Sequence, residues 1–92
     1  MKFDWDENKN RTNQKKHGIS FYDAQEAFFD ENRLLALDEK HSTKEEQRYF
    51  CFAKVGDKVM TVRFTIRENR IRIFGAGYWR EGKKRYEEEN KV

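Results

Sequence analysis

The alternation of apolar and polar side chains between positions 58 and 74 constrains the fold of this chain more than any other feature of its sequence. Between positions 58 and 66, one set of alternate residues is wholly apolar: Met60, Val62, Phe64 and Ile66. Between positions 70 and 74, Ile71 and Ile73 alternate with arginines. Successive side chains of a β-strand point to opposite faces of its sheet, so the pattern predicts two strands that share one apolar face.

A third long strand is predicted from residues 48–55, which are rich in aromatic side chains. Gly56 and Asp57 follow it directly, and this pair is typical of a hairpin turn. Glu68 and Asn69 occupy the corresponding position between the other two strands. The three strands are therefore expected to form an antiparallel meander.

Two shorter segments also have the pattern of strands. Leu34–Leu37 is a brief apolar run, and Phe3 and Trp5 alternate with polar neighbours near the start of the chain. Gly75 and Gly77 interrupt the last long strand, which is expected to span Arg70 to Phe74. The sequence does not indicate which strands the short segments pair with.

Helices are predicted at both ends of the chain. Asp6 is a suitable N-cap and Gly18 a suitable C-terminal glycine, which together favour a helix over Glu7–His17 although its apolar stripe is nearly absent. A terminal helix is predicted from Gly82 to Lys91, with Tyr86 as its main apolar anchor.

Another helix is predicted after Ser20, a second N-cap residue, and is expected to end near residues 30–32. Its apolar residues fall at helical spacing: Phe21, Ala24, Ala27 and Phe28. Together these segments predict one α+β domain over residues 1–92, with two N-terminal helices, an antiparallel sheet of about four strands and a C-terminal helix.

The alternation also assigns side chains to the polar face of the sheet. These are Arg63, Thr65, Arg70, Arg72 and Tyr49. Arg48 shares its parity with Phe50, so it is expected on the apolar side, at the edge of its strand. Arginine suits bidentate recognition of phosphate, which favours a polyanion site, whereas the alternative is a sheet face that is merely solvated.

Composition limits the class of protein further. Charged residues make up 40% of the chain and aromatic residues 15%, with a formal net charge of +3, so an acidic partner is favoured. Cys51 is the only cysteine and has no intramolecular disulfide partner, which fits a reducing compartment. Because no segment approaches the roughly 18 apolar residues of a membrane span, and the start lacks the apolar stretch of a signal peptide, a cytoplasmic protein is expected.

The residue types favour chemistry without a metal or cofactor. One cysteine and two histidines give no paired ligand spacing for zinc. Histidine, arginine and lysine suffice for RNA cleavage, in which a base removes the 2′-hydroxyl proton and cations stabilise the transition state. His17 and His41 are the natural acid–base candidates, although a surface or capping role is open for each, and Glu26 and Glu81 stay open as alternative bases.

Five segments, in their order and spacing, resemble the BrnT family of type II toxins. They are Trp5-Asp6-Glu7, Lys16-His17-Gly18-Ile19-Ser20-Phe21, Asp38-Glu39-Lys40-His41-Ser42, Glu46-Gln47-Arg48 and Arg70-Ile71-Arg72-Ile73. The resemblance covers nearly the whole chain. It implies a RelE-like fold and a ribonuclease that inhibits translation. It also implies a BrnA-type antitoxin with a ribbon-helix-helix part, through which alone the toxin would reach operator DNA.

The resemblance, with strand parity, selects candidate site residues. Those implied to be catalytic are His17, His41, Arg48 and Arg72. Those expected to bind RNA are Lys16, Arg63, Arg70, Tyr78, Arg80 and Lys83. No metal or cofactor is expected at the site.

One position departs from the pattern of the family. Gly77 stands where an arginine is expected, so either Arg80 replaces it or the activity is weak. A non-catalytic RNA-binding or interaction domain is therefore the alternative function. Tyr78 could stack on bases, whereas Trp79 is expected to pack between the sheet and the terminal helix.

Overall fold

The computed structural model describes residues 2–91, which form one mixed sheet with helices on both faces. In chain order the elements are β1 (Lys2–Trp5), α1 (Glu7–His17), α2 (Phe21–Ala24) with a 3₁₀ turn (Gln25–Phe29), β2 (Leu34–Leu37), β3 (Arg48–Val55), β4 (Lys58–Arg67), β5 (Arg70–Gly77) and α3 (Arg80–Asn90). The strand order is β1-β5-β4-β3-β2. β1 runs parallel to β5 and the other neighbours are antiparallel.

The α+β class and the C-terminal helix are as predicted, but the sheet differs in detail. It has five strands and is mixed, because β1 joins the edge beside β5 with Phe3 opposite Ile71 and Trp5 opposite Ile73. Alternation within a strand shows which side chains share a face, but it carries no information about the neighbouring strand or its direction.

Gly75 and Gly77 were expected to end the last strand, but they do not. β5 continues through Gly77, and the register with β4 shifts between Arg63 and Phe64 so that Phe74 is the extra residue. A bulge of this kind bends the strand and redirects the inserted side chain. The ring of Phe74 consequently lies among the cations of the arginine-bearing face.

The faces assigned to β3 were wrong. Tyr49 pairs with Phe64 and stacks on it at 5.4 Å, on the face that packs against α2 and the 3₁₀ turn. Phe50 lies opposite Arg63, so the even-numbered residues of β3 belong to the arginine face. Arg48, opposite Thr65, is therefore on that face and not on the apolar side. Both sets of alternate positions in β3 carry aromatic residues, so parity alone could not orient this strand.

The helices also depart from their predicted bounds. Only Phe21–Ala24 forms α-helix in the second helical segment, and a 3₁₀ turn continues it to Phe29. The third helix begins at Arg80, two residues before Gly82. None of the helices within residues 2–91 has the length and apolar character needed to cross a membrane.

The core lies between the sheet and the N-terminal helical segments. Phe21, Val62 and Ile73 are each 0% exposed. Complete burial of side chains of this kind contributes roughly 1.5–3 kcal/mol each, so this layer is a main source of stability. Ile19 and Ala24 complete the packing beneath the start of α2.

α1 is held by polar rather than apolar contacts. The Asn13 side-chain amide donates to the carbonyls of Ile19 and Ala76, at 2.9 and 3.0 Å, and accepts from the Ala76 N–H at 3.2 Å. The Asn10 side chain accepts from the Phe21 N–H at 2.8 Å. Asp6 and Gly18 cap the helix as predicted, with Gly18 at φ +69°. These bonds fix a helix whose exposed face is strongly basic.

α3 covers only half of the opposite sheet face. Phe52, Val59 and Tyr86 form a second cluster beneath it. Gly82 permits this close approach, since a Cβ there would lie 2.1 Å from the Thr61 hydroxyl oxygen and 2.9 Å from the Phe52 ring. The uncovered half of the face carries the arginines, and it defines the candidate site.

Candidate functional site

A small cationic pocket lies on the half of the sheet that α3 leaves open. It encloses about 170 Å³ and is lined by Lys9, Asp38, His41, Arg48, Arg63 and Phe74. The Phe74 ring forms its floor, with the Arg48 guanidinium carbon 4.3 Å and the Lys9 Nζ 5.1 Å from the ring centroid. Cations placed over an aromatic face gain an electrostatic attraction of about 0.5–2 kcal/mol, which favours this arrangement.

His41 and Asp38 form the only histidine–carboxylate pair among the described residues. His41 Nδ1 lies 2.9 Å from Asp38 Oδ2, and the His41 backbone N–H donates to Asp38 Oδ1 at 3.3 Å. Asp38 is 5% exposed, whereas the His41 side chain is 47% exposed. The buried carboxylate favours the tautomer with the proton on Nδ1, which leaves Nε2 as a free acceptor.

The pair is held at the junction of β2 and β3. The Asp38 N–H donates to the Arg48 carbonyl at 2.8 Å, which extends the strand pairing beyond Leu37. The Ser42 hydroxyl donates to the Asp38 carbonyl at 2.7 Å and accepts from the Arg48 N–H at 2.8 Å. The loop that carries His41 is therefore anchored on both sides of the pair.

Glu46 orients Arg48 within the pocket. The Arg48 Nε donates to Glu46 at 3.1 Å, and Arg67 donates to the other Glu46 oxygen at 2.5 Å. The Arg67 hydrogen bond, aided by Arg48, outweighs desolvation and lowers the pKa of Glu46. Because Arg48 uses Nε for this contact, its terminal nitrogens are left for an anion in the pocket.

Arg63 lies across Gly75, its partner in the register between β4 and β5. A Cβ at Gly75 would be 2.8 Å from Arg63 Nη2 and 3.1 Å from Nε. Because Gly75 has no side chain, the Arg63 guanidinium can lie directly against the backbone of Gly75. Arg63 lines both this pocket and an adjoining depression of about 280 Å³.

The adjoining depression brings α1 into the site. Besides Arg63 and Phe74 it is lined by Lys9, Lys16 and His17, with Asn8, Thr12 and Asn13 between them. Lys9 and Lys16 are seven residues apart, about two helical turns, and so lie on one side of α1. The cationic surface therefore continues from His41 past Arg63 to His17.

Trp79 occupies the position that an arginine at residue 77 would need. A Cβ at Gly77 would be 2.6 Å from Trp79 Cη2, so the indole rests directly on the glycine. The His17 ring meets the indole edge-on, at 5.2 Å between centroids. Arg80 lines a groove beside Tyr78 and Lys83, and it lines neither the pocket around His41 nor the depression beside His17.

Arg70 and Arg72 lie away from the pocket. Arg72 pairs with Asp4 at 3.3 Å, and Arg70 approaches the same carboxylate at 4.0 Å. Arg72 and Arg48 are both opposite Thr65, on either side of β4. Two strand spacings, roughly 10 Å, therefore separate them.

The structure thus brings together only part of the candidate set. His41, Arg48, Arg63, Lys16 and His17 share the open cationic surface. Three residues of the pocket around His41 were not singled out: Lys9, Asp38 and Phe74. Asp38 precedes His41 by three residues and Lys9 precedes Lys16 by seven, and these spacings are the sequence signals that could have identified Asp38 and Lys9.

The arrangement has the donors of an anion site and few ligands for a metal. Within residues 2–91, no three histidine, cysteine, aspartate or glutamate side chains come together as a metal site. The fold and pocket define a small α+β protein with a histidine–carboxylate pair set among lysine and arginine side chains of the kind that suits phosphate. That is the class expected to bind or cleave RNA.

Comparison with known proteins identifies the family. A family model described as "Ribonuclease toxin, BrnT, of type II toxin-antitoxin system" matches residues 5–82. The chain belongs to this family, which confirms the resemblance and implies an RNA substrate and an antitoxin partner. No curated protein gives a significant match to the chain.

Proposed function

We propose that this protein is a metal-independent endoribonuclease that inhibits translation, and that His41 is its general base. The proposal is carried by one observation: a buried carboxylate holds the Nδ1 side of His41, which lines one pocket with Arg48 and Arg63. A histidine oriented in this way by a carboxylate is well suited to proton transfer near neutral pH.

In this mechanism the RNA supplies its own nucleophile. His41 Nε2 accepts the proton of the 2′-hydroxyl, and the 2′-oxygen forms a bond to the adjacent phosphorus. The bond from phosphorus to the 5′-oxygen breaks, which gives a 2′,3′-cyclic phosphate and a 5′-hydroxyl. His17, which lines the adjoining depression, donates the proton that the leaving 5′-oxygen takes up.

The cations stabilise the charge that develops on the phosphate oxygens. Arg48 and Arg63 line the same pocket as His41, and Lys9 lies over the floor formed by Phe74. Donors of this kind act where charge increases, so they lower the barrier more than they tighten substrate binding. Lys16 binds the neighbouring phosphate, and Arg70 and Arg72 bind the strand farther along the sheet.

Metal independence is supported by the chemistry of the side chains present. Mg²⁺ requires several oxygen ligands, usually carboxylates and waters. Asp38 is occupied by His41, and Glu46 by Arg48 and Arg67. The remaining side chains of the pocket are cationic or aromatic.

The proposal includes a specific regulatory partner. A BrnA-type antitoxin neutralises the toxin, and its ribbon-helix-helix part carries the complex to operator DNA. The toxin itself is proposed to act in the cytoplasm with a RelE-like arrangement of its helices and sheet. Co-purification with a neighbouring small ribbon-helix-helix protein tests this part directly.

The test of catalysis is cleavage of RNA by the purified chain in EDTA. His41→Gln is expected to lower kcat/KM by about 10²–10⁴-fold, the usual contribution of a general base. Arg11→Gln is the matched control, because it removes a cation from the outward side of α1. Its side chain contacts Glu7 and Asn8. Equal cleavage by wild type and His41→Gln would contradict the assignment of His41 as the general base.

A non-catalytic RNA-binding domain is the second candidate function, favoured by the indole that covers Gly77. It predicts salt-dependent binding without cleavage, with a slope of about 0.7 for each phosphate contacted by the protein. Cleavage by wild type that is lost in Arg63→Ala would exclude it. Cleavage gained only in the double variant Gly77→Arg, Trp79→Ala would support it.

A further inference from the structure

A second groove lies between the first turn of α3 and the hairpin that joins β3 to β4. Its volume is about 690 Å³, roughly four times that of the pocket around His41. Four cations line it, namely Lys54, Lys58, Arg80 and Lys83, against two carboxylates, Asp57 and Glu87. The excess of positive charge favours a polyanionic occupant.

Two neighbouring aromatic rings stand in this groove without being buried. Tyr78 is 47% exposed and Trp79 is 39% exposed, although aromatic side chains normally stabilise a fold by burial. The Lys58 Nζ lies 5.1 Å from the centre of the Tyr78 ring. Exposed rings among cations are the means by which proteins bind single-stranded nucleic acid, since bases stack on the rings and phosphates contact the cations.

The groove is continuous with the candidate active site. His17 lines the depression beside Arg63, and its ring contacts Trp79, which lines the second groove. Along β5 and its continuation, Phe74 and Tyr78 are four residues apart, or about 13 Å in extended chain. An RNA strand that leaves the pocket at His17 therefore passes over Trp79 and reaches Tyr78 within a few nucleotides.

We propose that this groove is a subsite for single-stranded RNA flanking the cleaved bond. A base stacks on Tyr78, and the phosphates on either side of it contact Arg80 and Lys58. The inference rests on RNA being the substrate, as proposed above, but it does not depend on which residue is the base. It assigns to the groove a part in substrate selection, because duplex RNA cannot present an unstacked base.

The test uses oligonucleotides whose 2′-oxygens are all methylated, so that they bind but cannot supply the nucleophile. Wild type is expected to bind a single strand of about 12 nucleotides more tightly than one of about 4, lengths within the range of single-strand sites. Tyr78→Ala is expected to weaken binding of the longer strand by about 5- to 100-fold, the equivalent of one stacked base. The affinity advantage of the longer strand over the shorter one falls accordingly.

Tyr22→Ala is the matched control, since Tyr22 is 70% exposed on α2 and lines neither groove. Arg80→Gln, compared with Arg11→Gln, tests the phosphate contact in the same way. An unchanged affinity of Tyr78→Ala for the longer strand overturns the proposal. The proposal is also overturned if an RNA duplex binds as tightly as the single strand. It is overturned as well if Tyr78→Ala weakens binding of the antitoxin but not of RNA.

The outcome is separable from that of the proposed function. If wild type cleaves RNA but gains nothing from a longer strand, the subsite is wrong and the ribonuclease assignment stands. If wild type does not cleave but Tyr78→Ala loses affinity for the longer strand, the groove binds RNA and the catalytic assignment fails.

Discussion

At the scale of single residues, the site depends on side chains that are missing as much as on those present. Gly75 lies beneath the Arg63 guanidinium, and Gly77 lies beneath the indole of Trp79. The two glycines therefore set the positions of a cation and of an aromatic ring at the site. In each case a Cβ would fall within 3 Å of the side chain above it.

Gly75→Ala is expected to weaken cleavage and RNA affinity by about 10- to 100-fold, the effect of losing one charged hydrogen bond. The clash falls on the end of a flexible side chain, so the free energy of unfolding should change by less than about 1 kcal/mol. The measurements are kcat/KM, RNA affinity and urea unfolding. In a protein that already carries Arg63→Ala, Gly75→Ala should have no further effect on cleavage. If Gly75→Ala lowers cleavage equally in that protein, Gly75 does not act through Arg63.

At the scale of elements, α1 shows how a helix without an apolar face is held on a sheet. Its two buried side chains are Asn10 and Asn13, and both bond to backbone groups outside the helix. The amide of Asn13 joins α1 to β5 at Ala76, 63 residues away in sequence. α1 in turn carries Lys9, Lys16 and His17 to the site.

Asn13→Ala is expected to lower the free energy of unfolding by about 2–4 kcal/mol, because it leaves buried backbone groups of Ile19 and Ala76 without partners. Gln14→Ala is the control, since Gln14 is the next residue and is exposed. Urea unfolding measures both variants. A loss no larger in Asn13→Ala than in the control would show that α1 is held in another way.

At the scale of the whole molecule, one carboxylate joins three distant parts of the chain. Asp30 follows the 3₁₀ turn, and one of its oxygens accepts from both the Tyr86 hydroxyl and the Lys54 N–H, each at 2.7 Å. Burial raises the pKa of Asp30, but the hydrogen bonds from Lys54, Tyr86 and Asn32 outweigh it, so the net pKa is lowered. For Tyr86, burial and the bond to Asp30 raise the pKa to about 12.

These pKa shifts limit stability at both ends of the pH range. The contribution of Asp30 to the free energy of unfolding is present above the pKa of an unfolded aspartate, about 3.9. It is lost as the pH falls through the lowered pKa that Asp30 has in the folded protein. The Tyr86 contribution is present below about pH 10 and is lost as the pH rises towards the folded value. Tyr86→Phe should lower the free energy of unfolding by about 1 kcal/mol at neutral pH. It should also remove part of the loss of stability that occurs at alkaline pH.

Urea unfolding of wild type and Tyr86→Phe between neutral pH and about pH 11 measures this difference directly. The stability gap between the two proteins is expected to narrow as the pH rises. A stability difference that stays constant across this range would contradict a Tyr86 pKa that is raised by the hydrogen bond to Asp30.

Much of the fold follows from patterns that are local in sequence. The caps Asp6 and Gly18 bound α1 because they satisfy the ends of a helix with side chains and φ angles that neighbours do not affect. Parity in β4 placed Arg63 and Thr65 on one face correctly, since the alternation is a property of a single strand. The ordered motifs predicted the family, and the family match confirms it.

The site depended on information that no single strand contains. Parity could not orient β3, whose two sides are both aromatic, so Arg48 and Tyr49 were assigned to the wrong faces until the pairing with β4 was known. The bulge that turns Phe74 into the pocket arises between two strands. Asp38 was overlooked because its importance comes from burial beside His41.

By itself, the sequence determined the class of fold, the ends of α1, the arginine face of β4 and β5 and the family of this protein. Tertiary structure alone decided which arginines meet a histidine, and that Trp79 rather than an arginine covers residue 77. The reason is physical. Side-chain periodicity and capping act over a few residues, whereas register, bulges and burial arise only when distant segments pack together.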